Sequence, residues 1–266
     1  MDLGLQDAAV VVTGGTAGMG RATADCYAQE GARVAVLSRS QRTLEDTAAA
    51  LLAAGSPDAL GITTDLSDLG SVQAAFDRIG SRWGEVNVLV NTVGPGMSIV
   101  GGFDDIGEEK WDEAFDLMTM GAVRTCRAVL PLMRKAEWGR IVNISAHSVQ
   151  RQSPRLIAYT AGKAALTSLT KNLSQTLAKE GILVNTVSPG SFLTAQIRDF
   201  VADEMNARGL DSGDAIDVAI VLEDMFGDAL GQLGRAGLPE EIAPMIVMLG
   251  SRRNTYTTGA DLNASH

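Results

Sequence analysis

Cysteine is scarce in this chain of 266 residues: Cys26 and Cys126 stand far apart with no partner pattern, which excludes a disulfide framework and a cysteine-built metal site. Basic residues are in deficit, 22 against 32 acidic, and a formal charge of −10 lacks the basic footprint that a phosphate backbone demands, so no nucleic-acid partner is expected. The same charge repels an acidic carrier protein. No apolar run approaches the length that spans a bilayer, and Met1 to Asp7 carries two acids and no base ahead of the first apolar stretch, so neither a membrane segment nor a secretory leader is expected. Together these absences predict a soluble, metal-free protein of the cytoplasm. What the chain does have is apolar content, 45% of its residues, enough for one large core, and a single domain over 1–266 is expected.

Short apolar runs at 8–13, 33–38, 59–63, 86–91, 140–145 and 182–187 read as strands, and helix-period stretches at about 18–30, 41–54, 69–82, 108–135 and 157–180 lie between them. Strands alternating with helices predict an α/β fold, a doubly wound parallel sheet of the Rossmann type with helices on both faces. Residues 191–236 break the rhythm as a long, mostly helical insertion before a helix that starts near Pro239, and a last short strand is expected at 259–263. An insertion at the carboxyl end of a strand is where such a fold places ligand-covering elements, so this segment is expected to be a helical substrate lid.

The first strand runs into Thr13-Gly14-Gly15-Thr16-Ala17-Gly18-Met19-Gly20 and then a helix. Glycines there allow a tight turn and close approach of a pyrophosphate to backbone N–H groups, and the helix N-terminus adds partial positive charge. A glycine-rich turn alone is common; its place after the first strand of a βαβ unit is what makes it informative. The spacing Thr13-Gly14-x-x-x-Gly18-x-Gly20, with Tyr159-x-x-x-Lys163 further on and Pro189-Gly190 after the next strand, resembles the short-chain dehydrogenase/reductases, over essentially the whole chain and in the right order.

The resemblance implies a nicotinamide dinucleotide held by Gly14, Thr16, Gly18, Met19 and Gly20, with the residue ending the second strand choosing between NAD(H) and NADP(H). A carboxylate there favours NAD(H); this chain has Ser38-Arg39-Ser40, and a guanidinium grips a 2′-phosphate, so NADP(H) is preferred and NAD(H) remains possible. Against this, Arg39 also reads as an ordinary solvated residue at a helix start. Asp65-Leu66 falls where the family sets an acid and an apolar residue against the adenine. Asn91-Thr92-Val93-Gly94 replaces the usual Asn-Asn-Ala-Gly, with Asn91 and Gly94 kept. Pro189 and Gly190 border the nicotinamide, and Thr194 is placed to donate to its phosphate or amide.

Tyr159 and Lys163 are four apart in a helical stretch and so share a face. Taken alone, such a pair is usually a core-edge aromatic beside a surface lysine. In the family's mechanism Tyr159 exchanges the proton of the substrate oxygen and Lys163 holds the nicotinamide ribose; an ammonium beside a phenol is expected to lower the phenol's pKa. Two partners are missing. Ala146 stands where the family has a substrate-orienting serine, and Met118 where it has an asparagine that anchors a relay water. Ser148 is one substitute, sharing the parity of residue 146 if the strand continues; Ser145 is another, on the opposite face. The remaining explanations are weakened or altered chemistry, or an alanine introduced deliberately. His147 reads as a solvated or hydrogen-bonded loop residue before it reads as an acid–base group.

The insertion carries Phe192, Leu193, Ile197, Phe200, Val201, Met205, Leu222, Met225 and Phe226, which any amphipathic helix pair needs for packing and which also suit a greasy ligand. Its acids, Asp199, Asp203, Glu204, Asp211, Asp214, Asp217, Glu223, Asp224 and Asp228, disfavour an anionic substrate such as an acyl thioester of coenzyme A, although most read as a solvated face. The expected partner is a small hydrophobic ketone or secondary alcohol. The 94–102 stretch, rich in glycine, is a loop beside the nicotinamide pocket. The resemblance further implies a homotetramer through helices 108–135 and 157–180, where Ala164, Ala165 and Ser168 allow close approach; the ending Asn263-Ala264-Ser265-His266 departs from the family's Val-Asp-Gly-Gly. Two other functions stay open: a silent dinucleotide binder, favoured by Ala146 and Met118, and a non-redox isomerase or dehydratase using the same tyrosine and lysine.

Overall fold

Every residue of strand β1 (Ala9–Thr13) is buried and all but the last are apolar, as a strand covered on both faces requires. In the computed structural model, which describes residues 1–227 and 232–264, it sits inside a wholly parallel sheet with β2 (Arg33–Ser38), β3 (Ala59–Thr63), β4 (Val88–Asn91), β5 (Gly139–Ile144), β6 (Ile182–Pro189) and β7 (Asp261–Ala264). The order is β3-β2-β1-β4-β5-β6-β7. Alternation along β1 splits the core: Val10 and Val12 face helices α1 (Gly18–Gln29), α2 (Gln41–Ala53) and α10 (Pro239–Leu249), while Ala9 and Val11 face α3 (Leu69–Trp83), α5 (Gly121–Met133) and α7 (Ile157–Leu177). The fold is therefore the doubly wound Rossmann arrangement. Strand order reverses between β1 and β4, and the chain leaves these strands in opposite directions, opening a crevice at their carboxyl ends.

Several boundaries differ from the sequence reading. The stretch 108–135 divides into α4 (Glu108–Phe115), a π-turn at Asp116–Met120, and α5. The fifth strand stops at Ile144, the sixth runs on to Pro189, and a short helix α6 (Ser148–Arg151) follows the fifth. The insertion folds as α8 (Ala195–Arg208) and α9 (Ala215–Phe226), which bury Val201, Met205, Val218, Val221 and Leu222 in a cluster of their own, separate from the two on the sheet. Its acids point outward or serve the helix ends: Asp214 caps α9 through the N–H groups of Ile216 and Asp217, and Arg208 pairs with Glu204 and Asp224. Asp228, Ser265 and His266 lie outside the described residues. Among the described residues no helix is long and apolar enough to cross a membrane.

Candidate active site

At the head of β1 the chain turns through Gly14 (φ 66°) and Gly18 (φ 52°), a backbone region that side chains rarely adopt. A methyl group on Gly20 would collide with the Gly14 carbonyl oxygen, so only glycine lets α1 start this close to the strand. The N-terminus of α1 carries no side-chain cap and no acid in its first turn, leaving its N–H groups for an anion. Thr16 donates from its hydroxyl to Ser38 Oγ at 3.2 Å, tying the loop to the end of β2. Arg39 is exposed there. Asp65 is held below the usual carboxylate range, first by the hydroxyl and then the N–H of Ser67, with smaller help from the charges of Arg39 and Arg124. A methyl group on Gly94 would meet nothing within 4 Å, which leaves room beside β4.

Tyr159 and Lys163 project from one side of α7 into the crevice. Lys163 is buried, its Nζ donates to Ile144 O at 2.7 Å, and it stands 5.8 Å from the centroid of the Tyr159 ring. Burial lowers Lys163 to about 8 and raises Tyr159 to about 12. The expected lowering of the phenol is thus reversed in the ligand-free protein: desolvation of a phenolate outweighs an ammonium that is itself being neutralised. Because the folded value of Lys163 lies below its ordinary 10.5, the unfolded chain binds the additional proton between the two values, and stability rises with pH across that window. Between pH 7 and pH 10 the stability of Lys163→Met relative to wild type is therefore expected to fall by about 2–3 kcal/mol. Urea titrations at both pH values measure this, and a pH-independent difference would contradict the burial of a charged amine.

The strand end decides which serine meets the crevice. Ser145 Oγ is within 3.1 Å of Lys163 O and 2.7 Å of Thr167 Oγ1, inside the seam between β5 and α7, so its hydroxyl is already engaged. Ala146 lines the cleft and offers no donor. Ser148 also lines it, but not by strand parity: β5 ends at Ile144, bonds from Ser145 N to Val187 O and from His147 N to Pro189 O follow β6 as far as His147, and Ser148 then opens α6. Its Oγ is buried and has no hydrogen-bond partner among the described residues. A buried hydroxyl left unpaired costs about 1–3 kcal/mol, which a bound oxygen can recover. Met118 lies in the π-turn, in a cluster with Ile99, Ala114 and Ala158 against which Tyr159 packs. Its methyl carbon occupies the space a Cβ on Gly162 would need, so an apolar plug fills the asparagine's place.

These groups meet in one cleft of about 890 Å³. Gly14, Thr16, Gly18, Met19 and Gly20 line one end, with Gly94, Pro189, Gly190 and Thr194 beside them and Ser145, Ser148, Tyr159 and Lys163 beyond. Thr194 also accepts from Ile197 N to cap α8. Ser38, Arg39, Asp65, Leu66 and Asn91 do not line this cleft. Leu66 is buried in the core, and the Asn91 side chain donates to Asn143 and accepts from Thr125 in a buried network, so only its backbone follows the strand toward the crevice. The sequence reading missed Met97, Ile99, Gln150, Gln152, Leu156 and Gln196, which also form the walls. Of the insertion's apolar residues, Phe192, Ile197, Leu222 and Phe226 reach the cleft, whereas Val201 and Met205 are spent on the insertion's own packing. No described carboxylate lines the cleft. Among the described residues no group of three His, Cys, Asp or Glu could hold a metal ion.

The family model for short chain dehydrogenases matches residues 8–205, well over half of the chain. The oxidoreductase YvrD of Bacillus subtilis is 32% identical, covering 94% of this chain and 92% of that protein. The acetoacetyl-CoA reductase of Cupriavidus necator is 31% identical over 95% of this chain and 94% of its own. Among solved structures, the L-sorbose reductase of Gluconobacter frateurii, complexed with NADPH and L-sorbose, superposes with a TM-score of 0.91 at 28% identity, covering 99% of this chain and 97% of that one. Glycine turn, crevice, Tyr–Lys pair and these likenesses converge: the chain belongs to the short-chain dehydrogenase/reductase family and is an NAD(P)-dependent oxidoreductase.

Proposed function

We propose that the protein transfers a hydride between NADP(H) and a small, predominantly hydrophobic ketone or secondary alcohol, working as a single cytoplasmic domain and as a homotetramer through α4, α5 and α7. The observation that carries the reading is the cleft itself, in which an uncapped helix N-terminus over a glycine turn shares one cavity with Tyr159, Lys163 and the unpaired Ser148 hydroxyl.

The residues present fit the cofactor. The positive-φ glycines and the free N–H groups of α1 suit a pyrophosphate, with Met19 and Thr16 alongside, and the space beside Gly94 suits a ribose. Ser38 presents no carboxylate, and Arg39 supplies an exposed guanidinium at the β2 terminus where a 2′-phosphate would lie; Asp65, just past β3, would face the adenine from the neighbouring strand end, while Leu66 is turned into the core. The NADPH complex of the sorbose reductase supports the same choice. When bound, the nicotinamide is the hydride donor or acceptor for the substrate carbon. Lys163 then holds the ribose and Thr194 the nicotinamide side. Tyr159 gives its proton to the substrate oxygen in reduction and takes it back in oxidation. Ser148 donates to that oxygen, in the role Ala146 cannot fill.

The test follows reduced-nicotinamide absorbance while hydrophobic ketones and alcohols are presented. Oxidation of the cofactor by a ketone supports the proposal; binding without turnover indicates a silent dinucleotide binder, and consumption of substrate without redox change indicates isomerase or dehydratase chemistry. Cofactor choice is tested separately. Arg39→Ala is expected to weaken NADP(H) about tenfold to a hundredfold, the worth of one charge-assisted contact, and to leave NAD(H) affinity nearly unchanged. Equal weakening of both would remove Arg39 from the selecting role.

A further inference from the structure

Helix α6 ends on a residue in the left-handed region: Gln152, with φ 61° and ψ 82°. Its N–H donates to Ser148 O at 2.8 Å and closes the last turn. Such a helix end ordinarily takes glycine, because a Cβ there crowds the backbone. The chain obeys this elsewhere: among the described residues every other positive-φ position is glycine except Asp7, and a short acid tolerates that conformation. Gln152 has no such tolerance, and it lines the cleft. Backbone strain retained by a non-glycine residue at a ligand site points to a use for its side chain.

Its structural contribution is small. The side chain is exposed, and Nε2 donates to Val149 O at 2.7 Å, a contact within its own turn that orients the amide without tying two elements together. The amide oxygen and the second N–H are left for a ligand. The lining around it is mixed: Met97, Ile99, Ile197, Leu222 and Phe226 are apolar, Ser148, Gln150, Gln152 and Ser153 are neutral and polar, and His147 and Arg151 line the cleft from the same segment.

We infer that Gln152 is a specificity-determining residue that reads a hydroxyl on the substrate near the reacting carbon, so that the substrate class is an apolar hydroxyketone or its diol. A hydroxyl uses both halves of an amide, donating to the oxygen and accepting from the N–H. This rests on the hydride-transfer reading above.

The experiment compares wild type with Gln152→Gly on a matched pair of apolar ketones, one with a hydroxyl on the adjacent carbon and one without, and records thermal unfolding of both proteins. The ratio of kcat/KM for the hydroxyketone to that for the plain ketone is expected to fall about fivefold to tenfold, the worth of one neutral hydrogen bond. The variant should also melt about 2 °C higher, because glycine relieves the left-handed strain. An unchanged ratio, or a lower melting temperature, overturns the inference, the second because it would make Gln152 a structural residue. If wild type reduces neither ketone, the hydride-transfer reading fails on its own account. Calorimetric titration of both ketones into the NADP(H)-loaded protein then decides: tighter hydroxyketone binding that Gln152→Gly abolishes supports the inference, and equal affinities overturn it.

Discussion

Tyr159→Phe is expected to lower turnover about 10²–10⁴-fold, the range of a positioned acid–base group, while sparing cofactor affinity. The ring keeps its packing beside Met118, Ala158 and Ile99, so the variant folds; what it loses is the hydroxyl. No other titratable hydroxyl sits one helical turn before Lys163, and on the proposed reading Lys163 would still hold the ribose. Burial puts the ligand-free phenol near 12, so at neutral pH Tyr159 is protonated and ready to act as the acid in ketone reduction. Alcohol oxidation needs the phenolate and should accelerate as pH rises. Steady-state rates in both directions, with cofactor affinity measured alongside, test this, and full activity in Tyr159→Phe would falsify the mechanism.

Ser148→Ala is expected to lower kcat about 10²–10³-fold, as loss of an oxyanion donor does, and Ser145→Ala to cost far less in rate. The structural reason is the difference in partners: Ser145 is engaged with Lys163 O and Thr167, whereas Ser148 Oγ has no partner among the described residues. Ser145→Ala should register mainly as lost stability, by about 1–3 kcal/mol for a buried hydrogen-bonded hydroxyl. Restoring the family residue with Ala146→Ser should raise kcat about 10–10³-fold if the pocket still orients substrate from that point. No gain from Ala146→Ser together with no loss from Ser148→Ala would mean that the substrate oxygen is oriented by another group.

The strand–helix alternation and the glycine turn were legible because each depends on a few neighbouring residues. The short apolar runs alternating with helix-period stretches predicted the parallel sheet covered on both faces, and the structure has it. Boundaries slipped where local preference was outweighed. Residues 108–135 look like one helix because apolar spacing runs through them, yet Asp116–Met120 loosens to a π-turn, with Arg124 bonded to the Asp116 side chain and to Leu66 O across it. The stretch 140–148 looks able to continue as a strand; the strand ends at Ile144, backbone bonds to β6 last only to His147, and the chain turns into α6.

By itself the sequence determined the family, the doubly wound sheet, the glycine turn and the i, i+4 placement of Tyr159 and Lys163, all consequences of local backbone geometry and short spacings. Tertiary structure alone decided which hydroxyl faces the cleft, how burial sets Tyr159 and Lys163, and which residues of the insertion pack inward. It also brought Gln152 to the cleft in a left-handed turn. These depend on where a strand loses its neighbour and on how much water each group retains, quantities set by residues distant in the chain, which no local pattern encodes.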